Sequence, residues 1–492
     1  MYLEIAFSRG DGASQNTILQ IGQQLRSEKR WVEALSVLET FVDAFPRNAA
    51  AGQALTMIGQ IHQANEAWQD AIAAYKRVIT DFPAGNWIQE AKWSIAECTI
   101  NLSQWREAIA AYEDFVQAYG RDTRVAEANR RIGVLKDLAR YQSLVDEPNK
   151  RKAFDAQFQI ASIIQRQLNS PRKAIAEFRK VAANWPTSYL AAESLYSVGT
   201  IYLGIGEIDE ARQALRLVAS RYPDSNLADD ALLALGRSYE EEAQRLAGLT
   251  RVASAAVAQE RAQREAYQQV QEARSRQMLD SARRIGELRA EGKSELADLE
   301  QARFAGGNTM LNDANFELAA QRAQQAVETL TAVQLADRQD KINAALRRAV
   351  EAYDAAARVP LADKAADALL RMAVIFDEQL RDSAAALTTW KEIVSKFSGN
   401  VVAEEASWRI AKYYERAGNW AEAVEAYKAF LRNYRSSPRA ADAQFAIAEG
   451  FEHLDKWVEA MDAYTNYLNN FATGPLAAKA KEQINWIKTY RL

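Results

Sequence analysis

Nine alanines stand at a near-constant interval, and this constrains the chain more than any other feature: Ala34, Ala71, Ala108, Ala174, Ala211, Ala349, Ala386, Ala423 and Ala460 are separated by 37, 37, 66, 37, 138, 37, 37 and 37 residues. Self-similarity at a period of a few tens of residues belongs to repeat architectures, in which each unit buries its apolar face against its neighbours. Twelve positions before the alanines stand Gly22, Gly59, Ala96, Ser162, Gly199, Val374, Ala411 and Ala448, nearly all small. Four positions after them stand Leu38, Tyr75, Tyr112, Phe178, Leu215, Tyr353, Trp390, Tyr427 and Tyr464, all large. Two helices approach closely only where small side chains meet, and a large residue one turn away fills the space beside the crossing. The pattern therefore predicts a helical hairpin per repeat. Pro46, Pro83, Pro186 and Pro223, each after an aromatic residue, end the second helix of four repeats, because proline lacks the donor that would continue it. Trp31, Trp68, Trp105, Trp420 and Trp457 lie three before the alanine, beside the turn. Their fixed place favours core packing over a ligand-stacking ladder.

Two interruptions give the chain its individual character. Between Ala108 and Ala174 the interval is eight residues short of two periods, although Ile132-Gly133 still marks a first helix in register. Residues 143 to 151 are too few for the missing second helix, so a subdomain joint is expected there. Between Ala211 and Ala349 there are 101 residues beyond one period. Gly236 and Tyr239 keep the first helix of that repeat and Ala349 and Tyr353 keep its second, so the excess lies in the turn between them. Residues 224 to 359 contain no proline and no tryptophan, a composition suited to long exposed helices. The expectation is a helical stalk over residues 242–345, with a break near Gly286 or Gly292 and a turn at Gly306-Gly307. Leu279, Ala282, Ile285, Leu296 and Leu299 would form its seam against Leu311, Leu318, Val327 and Leu330.

Composition removes most chemical functions. Lys+Arg at 61 against Asp+Glu at 65 lacks the positive excess that neutralises a phosphate backbone, so nucleic acid is not the expected partner. One cysteine, Cys98, and two histidines, His62 and His453, offer no disulfide framework and little for a metal site. Phosphate-loop, zinc-protease and nucleophile-elbow motifs are missing, and carboxylate pairs such as Glu404-Glu405 and Asp229-Asp230 lie near helix starts, where they favour the helix dipole. No enzyme, cofactor or metal is expected, and no run reaches the roughly 18 apolar residues of a membrane span.

The series small residue, alanine, aromatic and proline resembles the tetratricopeptide-repeat (TPR) family over most of the chain outside residues 242 to 345. The resemblance implies an all-α superhelical solenoid in two blocks, residues 1–145 and residues 146–241 with 346–492, carrying the inserted stalk 242–345. It also implies a non-enzymatic scaffold that binds partner proteins on the face formed by the first helices. The family's groove position, three before the small residue, falls on Leu19, Thr56, Trp93, Gln159, Tyr196, Arg371, Trp408 and Phe445. Trp93, Tyr196, Arg371, Trp408 with Lys412 four residues on, and Phe445 form the candidate groove. The lysine and asparagine with which some TPR domains hold a terminal carboxylate are missing, since Glu97, Lys412 and Glu449 follow the three rings. A second reading is a structural subunit that joins homo- or hetero-oligomers through residues 242–345. The link of 37 rather than about 34 residues, with its aromatic-proline signature, is similar to the repeats of bacterial cell-envelope proteins such as the Tol-Pal coordinator and outer-membrane assembly lipoproteins. Leu3 to Ser8 resembles Phe41 to Pro46, so the chain opens inside a second helix. Upstream residues and a signal for export to the periplasm are therefore expected, with the cytoplasm the location if Met1 is the true start.

Overall fold

A computed structural model describes residues 12–147, 152–307, 332–360 and 362–492. Among them every regular element is helical. The chain divides into two compact units at Gly206/Glu207. The first contains α1 (Gly12–Ser27), α2 (Trp31–Ala44), α3 (Ala49–Ala64), α4 (Trp68–Asp81), α5 (Ile88–Asn101), α6 (Trp105–Ala118), α7 (Val125–Asp146), α8 (Ala153–Arg166), α9 (Pro171–Asn184) and α10 (Leu190–Ile205). The second contains α11 (Ile208–Arg221), α12 (Ala228–Ala290), α13 (Ser294–Gly307), α14 (Ala332–Ala357), α15 (Ala365–Val374) with a π-helical turn at Ile375–Gln379, α16 (Ser383–Lys396), α17 (Val401–Arg416), α18 (Trp420–Asn433), α19 (Ala440–His453), α20 (Trp457–Asn470) and α21 (Ala477–Tyr490). Within each unit helices pack on their sequence neighbours, the TPR-like superhelical arrangement of paired helices expected from the repeat.

The interlock inferred from spacing is physical. A Cβ placed on Gly22 would come 2.6 Å from the Leu38 side chain, one on Gly59 2.6 Å from the Tyr75 ring, and one on Gly236 2.6 Å from the Tyr353 ring. All nine alanines of the register are at most 1% exposed, and so are all nine large residues four positions on. Each tryptophan beside the turn is the first residue of its second helix. Trp420 stacks on His453 at 3.7 Å and 8°, and Trp457 lies 5.9 Å from Trp486, so these rings cover the next repeat's first helix. Burial pushes the Cys98 thiol up to about 12, which makes it a packing residue.

Two regularities went unread in the sequence. The turn residue five positions before eight of the nine alanines, all but Ala349, is left-handed: Lys29, Glu66, Ser103, Asn169, Arg381 and Asp455 have φ between +48° and +59°, while Gly206 and Gly418 have +82° and +73°. Only two of these eight are the glycine that this conformation favours. Second helices also end alike with or without proline. Phe45, Phe82, Tyr119, Trp185, Tyr222, Phe397, Tyr434 and Phe471 all cap at φ between −122° and −135°, each donating its N–H to the carbonyl four residues back.

At the first interruption the second helix is missing, and α7 and α8 pack directly on each other. Gly133 holds the small position on α7, yet it is exposed and its Cβ would meet nothing within 4 Å. Lys173 at the start of α9 crosses the gap, donating to the Ile100 carbonyl at the end of α5 and lying 5.0 Å from the Trp105 ring. Burial pushes its ammonium down to about 8. The boundary at 145/146 expected from sequence lies inside the first unit, with α7 and α8 on the same side of the Gly206/Glu207 division.

The insertion leaves one repeat between its two helices, as expected. Helix α12 runs 63 residues, about 95 Å at 1.5 Å per residue, and α14 returns along it. Ala243, Ile342, Ala345 and Leu346 are buried at its base, so the repeat's core extends past residue 242. Helix α12 passes through Gly286 and stops before Gly292, whose φ of +72° lets Lys293 N–H bond the Leu288 carbonyl at 2.9 Å and Gly292 N–H bond that of Arg289 at 3.1 Å, a Schellman ending. The chain reverses there, and α13 packs back on α12. Helix α13 is described through Gly307, and the turn expected at Gly306-Gly307 borders residues 308–331, which lie outside the described residues. On the expected seam Ile285 is half-buried, whereas Leu279, Ala282, Leu296 and Leu299 are exposed; Ala297 is the buried contact of α13. Leu311, Leu318, Val327 and Leu330 lie outside the described residues, as do residues 1–11 with the N-terminal half-helix reading.

Adding a methyl group separates filled from empty small positions. Gly59→Ala is expected to cost about 1–3 kcal/mol through collision with the Tyr75 ring. Gly133→Ala is expected to add about 1 kcal/mol, because helix propensity acts without a clash. Urea unfolding of the two variants checks both signs; a stabilised Gly59→Ala would refute the interlock.

Candidate protein-binding groove

The candidate groove residues sit on first helices, Trp93 on α5 and Tyr196 on α10 of the first unit, and Arg371 on α15, Trp408 and Lys412 on α17 and Phe445 on α19 of the second. Three rings share one arrangement. Trp93 meets Tyr112 at 5.2 Å and Phe115 at 5.4 Å. Trp408 meets Tyr427 and Phe430 at 5.6 Å each. Phe445 meets Tyr464 at 5.2 Å and Tyr467 at 5.6 Å. Each contact is edge-on, the geometry aromatic quadrupoles prefer, and each joins a first helix to the second helix of its own repeat. Phe445 is only 3% exposed, while Trp93, Trp408 and Tyr196 are half-buried. Of the remaining groove positions, Leu19 and Thr56 are buried and Gln159 is exposed.

Above the rings lies a layer of cations from the following repeat. Arg124 and Arg131 of the α7 region lie 5.2 and 5.6 Å from Trp93. Arg439 lies 5.5 Å from Trp408, with Lys412 of the same helix at 5.6 Å, and Lys479 lies 4.9 Å from Phe445. These distances suit cation–π attraction. The same cations pair with acids of the preceding first helix: Arg124 with Glu90 at 3.0 Å, Arg131 with Glu97, Arg439 with Glu405, and Lys479 with Glu449 at 2.8 Å. Arg371 reaches Glu240 on α12 at 3.6 Å, while Arg409 and Arg416 on α17 reach Glu378 at 2.9 Å and Asp377 at 3.2 Å in the π-helical turn. Consecutive first helices of the second unit are thus joined by charge along one face. Sequence reading missed these pairs, although the interval of 34 recurs in Glu90/Arg124, Glu97/Arg131 and Glu405/Arg439.

The buried second-helix tyrosines complete the layer from below. Tyr112 donates to Glu97, Tyr427 to Glu415, and Tyr353 to Glu240 at 3.0 Å. Burial and then these carboxylates push the three phenols up, so each remains a donor. Glu127 on α7 is lowered to about 2 by its hydrogen bonds to Arg130 and Arg131. Burial raises Glu405, but Arg409 and Arg439 outweigh it and the carboxyl lies below its ordinary range. Among the described residues no group of three or more His, Cys, Asp or Glu could hold a metal ion, and no helix is long and apolar enough to cross a membrane.

Stretches of this architecture are similar to the tetratricopeptide repeat. Two family models, each described as a tetratricopeptide repeat, match them, the first at residues 19–86, 162–226 and 409–475 and the second at 367–400. The repeat is a non-catalytic scaffold fold. No curated protein matches the sequence. Among solved structures, the chain aligns with the TPR domain of P58(IPK) at 13% identity, covering 96% of this chain and 97% of that one with a TM-score of 0.28. It also aligns with YrrB, a TPR protein described as having an unusual peptide-binding site, at 15% identity over 46% of this chain and 95% of that one with a TM-score of 0.20. Likenesses at these scores carry no argument about binding.

The acid-linked charge layer has a direct readout. A carboxyl held near 2 contributes stability that is complete above the ordinary value of 4.5 and is lost as pH falls through its folded value. Acid unfolding of the wild type is therefore expected to steepen between pH 4.5 and about 2. Glu127→Gln is expected to flatten that window, and identical acid profiles would show that Glu127 is not held.

Proposed function

We propose that the chain is a non-enzymatic scaffold whose first-helix face binds segments of partner proteins, and that the charged layer of the second unit selects them. The observation that supports this is the alternation of acids and bases on α15, α17 and α19, set over packed rings. Lys412 is half-buried beside Trp408 and among the described residues forms an ion pair only with Glu415 of its own helix, and Arg371 is 47% exposed and 3.6 Å from its acid. Such partly solvated cations can exchange their acids for those of an incoming segment at small cost, since exposed pairs are worth about 0–1 kcal/mol. The rings fix the geometry of the charged groups and belong to the core. Specificity on this reading comes from charge order and steering.

A second reading, a structural subunit joined to other subunits through the stalk, is supported by the exposed apolar residues of α12 and α13. Leu249, Val252, Val270, Leu279, Leu296 and Leu299 are between 53% and 72% exposed. Exposed apolar surface of this kind marks contact sites more often than isolated apolar residues do. Residence in the cell envelope is a further proposal resting on the 37-residue link, and fractionation of the source cell tests it.

One comparison separates the readings. Partners captured from the source cell are identified, and their affinity is measured for the wild type, for Arg371→Glu/Lys412→Glu, and for a chain in which residues 250–338 are replaced by a short glycine-rich turn. The cut is placed there because Ala243, Ile342 and Ala345 belong to the base of the repeat. The scaffold reading expects the charge variant to lose about tenfold or more in affinity with helicity unchanged, and the trimmed chain to bind normally. Loss only in the trimmed chain would establish the stalk reading instead.

A further inference from the structure

A groove of about 510 Å³ in the second unit, away from the first-helix rings, is lined by α18, α19 and α20. Its floor is apolar, with Leu431 and Phe451 half-buried and Ile447 and Ala463 buried. Its walls carry opposite charge: Arg432 and Arg435 follow from α18, while Glu459 and Asp462 stand on α20. Lys428 is already engaged, 2.8 Å from Glu425 and 5.0 Å from the Phe451 ring. Arg432, Arg435, Glu459 and Asp462 are all exposed, and among the described residues none of them makes an ion pair or a side-chain hydrogen bond. This contrasts with the first-helix face, where the cations are paired from one repeat to the next.

A surface with a positive wall, an apolar strip and a negative wall is complementary to its own copy. Rotation by a half-turn about an axis running along the strip exchanges the walls, so each arginine wall meets the partner's acidic wall and the two strips face each other. The two walls also cancel in charge, two against two, so identical copies meet without net repulsion at the patch. From this geometry we propose that the α18–α20 groove is the interface through which a second copy of this chain docks, by an isologous two-fold contact. Arg432 and Arg435 of each copy pair with Glu459 and Asp462 of the other, and Leu431 and Phe451 lose water together. The long guanidinium arms suit a contact made from rim to rim across a groove. This surface is separate from Arg371, Lys412 and the stalk, so its failure would leave the readings above untouched.

Sedimentation and light scattering of the full-length chain at 50 and 500 mM salt test the proposal, since charge pairing across the contact is screened by salt. The wild type is expected to be a dimer at low salt and to weaken about tenfold or more at high salt. Arg432→Glu/Arg435→Glu makes both walls acidic, and Glu459→Lys/Asp462→Lys makes both basic. Each variant alone is expected to be monomeric with unchanged helicity. Mixed together they are expected to re-form a dimer, because an acidic-walled copy then faces a basic-walled one on both sides. A monomeric wild type at about 100 μM in low salt, or variants that assemble as the wild type does, would overturn it; an interface elsewhere gives the second result.

Discussion

The close contact between a glycine on one helix and a ring on the next governs the rest of this molecule. At Gly59 and Gly236 the tyrosine ring occupies the volume a methyl group would need, which brings the two helix axes together and settles their crossing. Once that distance is set, the alanine twelve residues on is sealed, the tryptophan at the start of the second helix is directed toward the following repeat, and the aromatic cap ends the second helix at a constant place. Stability in such a chain accumulates from pair to neighbouring pair. The 101-residue excess interrupts this logic nowhere, because Gly236 and Tyr353 still meet across it.

The binding face is a by-product of the same packing. The first-helix rings at Trp93, Trp408 and Phe445 lie edge-on against second-helix rings, and the tyrosine hydroxyls that emerge beside them need acceptors. Glu97 accepts from Tyr112 beside Trp93 and Glu415 from Tyr427 beside Trp408, and Glu97 in turn pairs with Arg131 of the following repeat. A core requirement has thereby become an ordered row of charge on the surface. Pairing across repeats gives each helix a second link to its neighbour while leaving part of the charge available to a partner.

The two interruptions show what happens when a helix is removed or extended. Without its second helix, α7 leaves Gly133 facing solvent, and Lys173 crosses to the Ile100 carbonyl where helix-to-helix packing would otherwise have been. A cation suits that place because the carbonyls at the end of α5 carry the negative end of the helix dipole. With both helices lengthened, α12 and α14 continue the hairpin beyond its core, and the apolar residues of α12 and α13 lie open.

The repeat, its hairpin units, the site of the lost helix and the position of the insertion were all legible in the chain, because small, large and proline residues act on contacts at constant sequence separation. A break near Gly286 or Gly292 was legible as well, since a left-handed residue ending a long helix is most easily a glycine, but the full reversal of the chain at Gly292 was not. Other features were decided by tertiary structure. Lys29, Glu66 and Arg381 adopt the left-handed turn conformation without the residue type that announces it, because the two packed helices leave the connection no other path. The reversal at Gly292 displaced the seam expected for Leu279, Leu296 and Leu299, which a pattern of threes and fours cannot register without the turn. At the candidate groove the residue types were right for contact, but only the positions of Tyr112, Phe115, Tyr427 and Phe430 reveal that the rings pack inward. Spacing along one helix sets which side chains share a face; which face is covered depends on how far the next helix reaches over it, and that distance is set by the glycine contacts between helices.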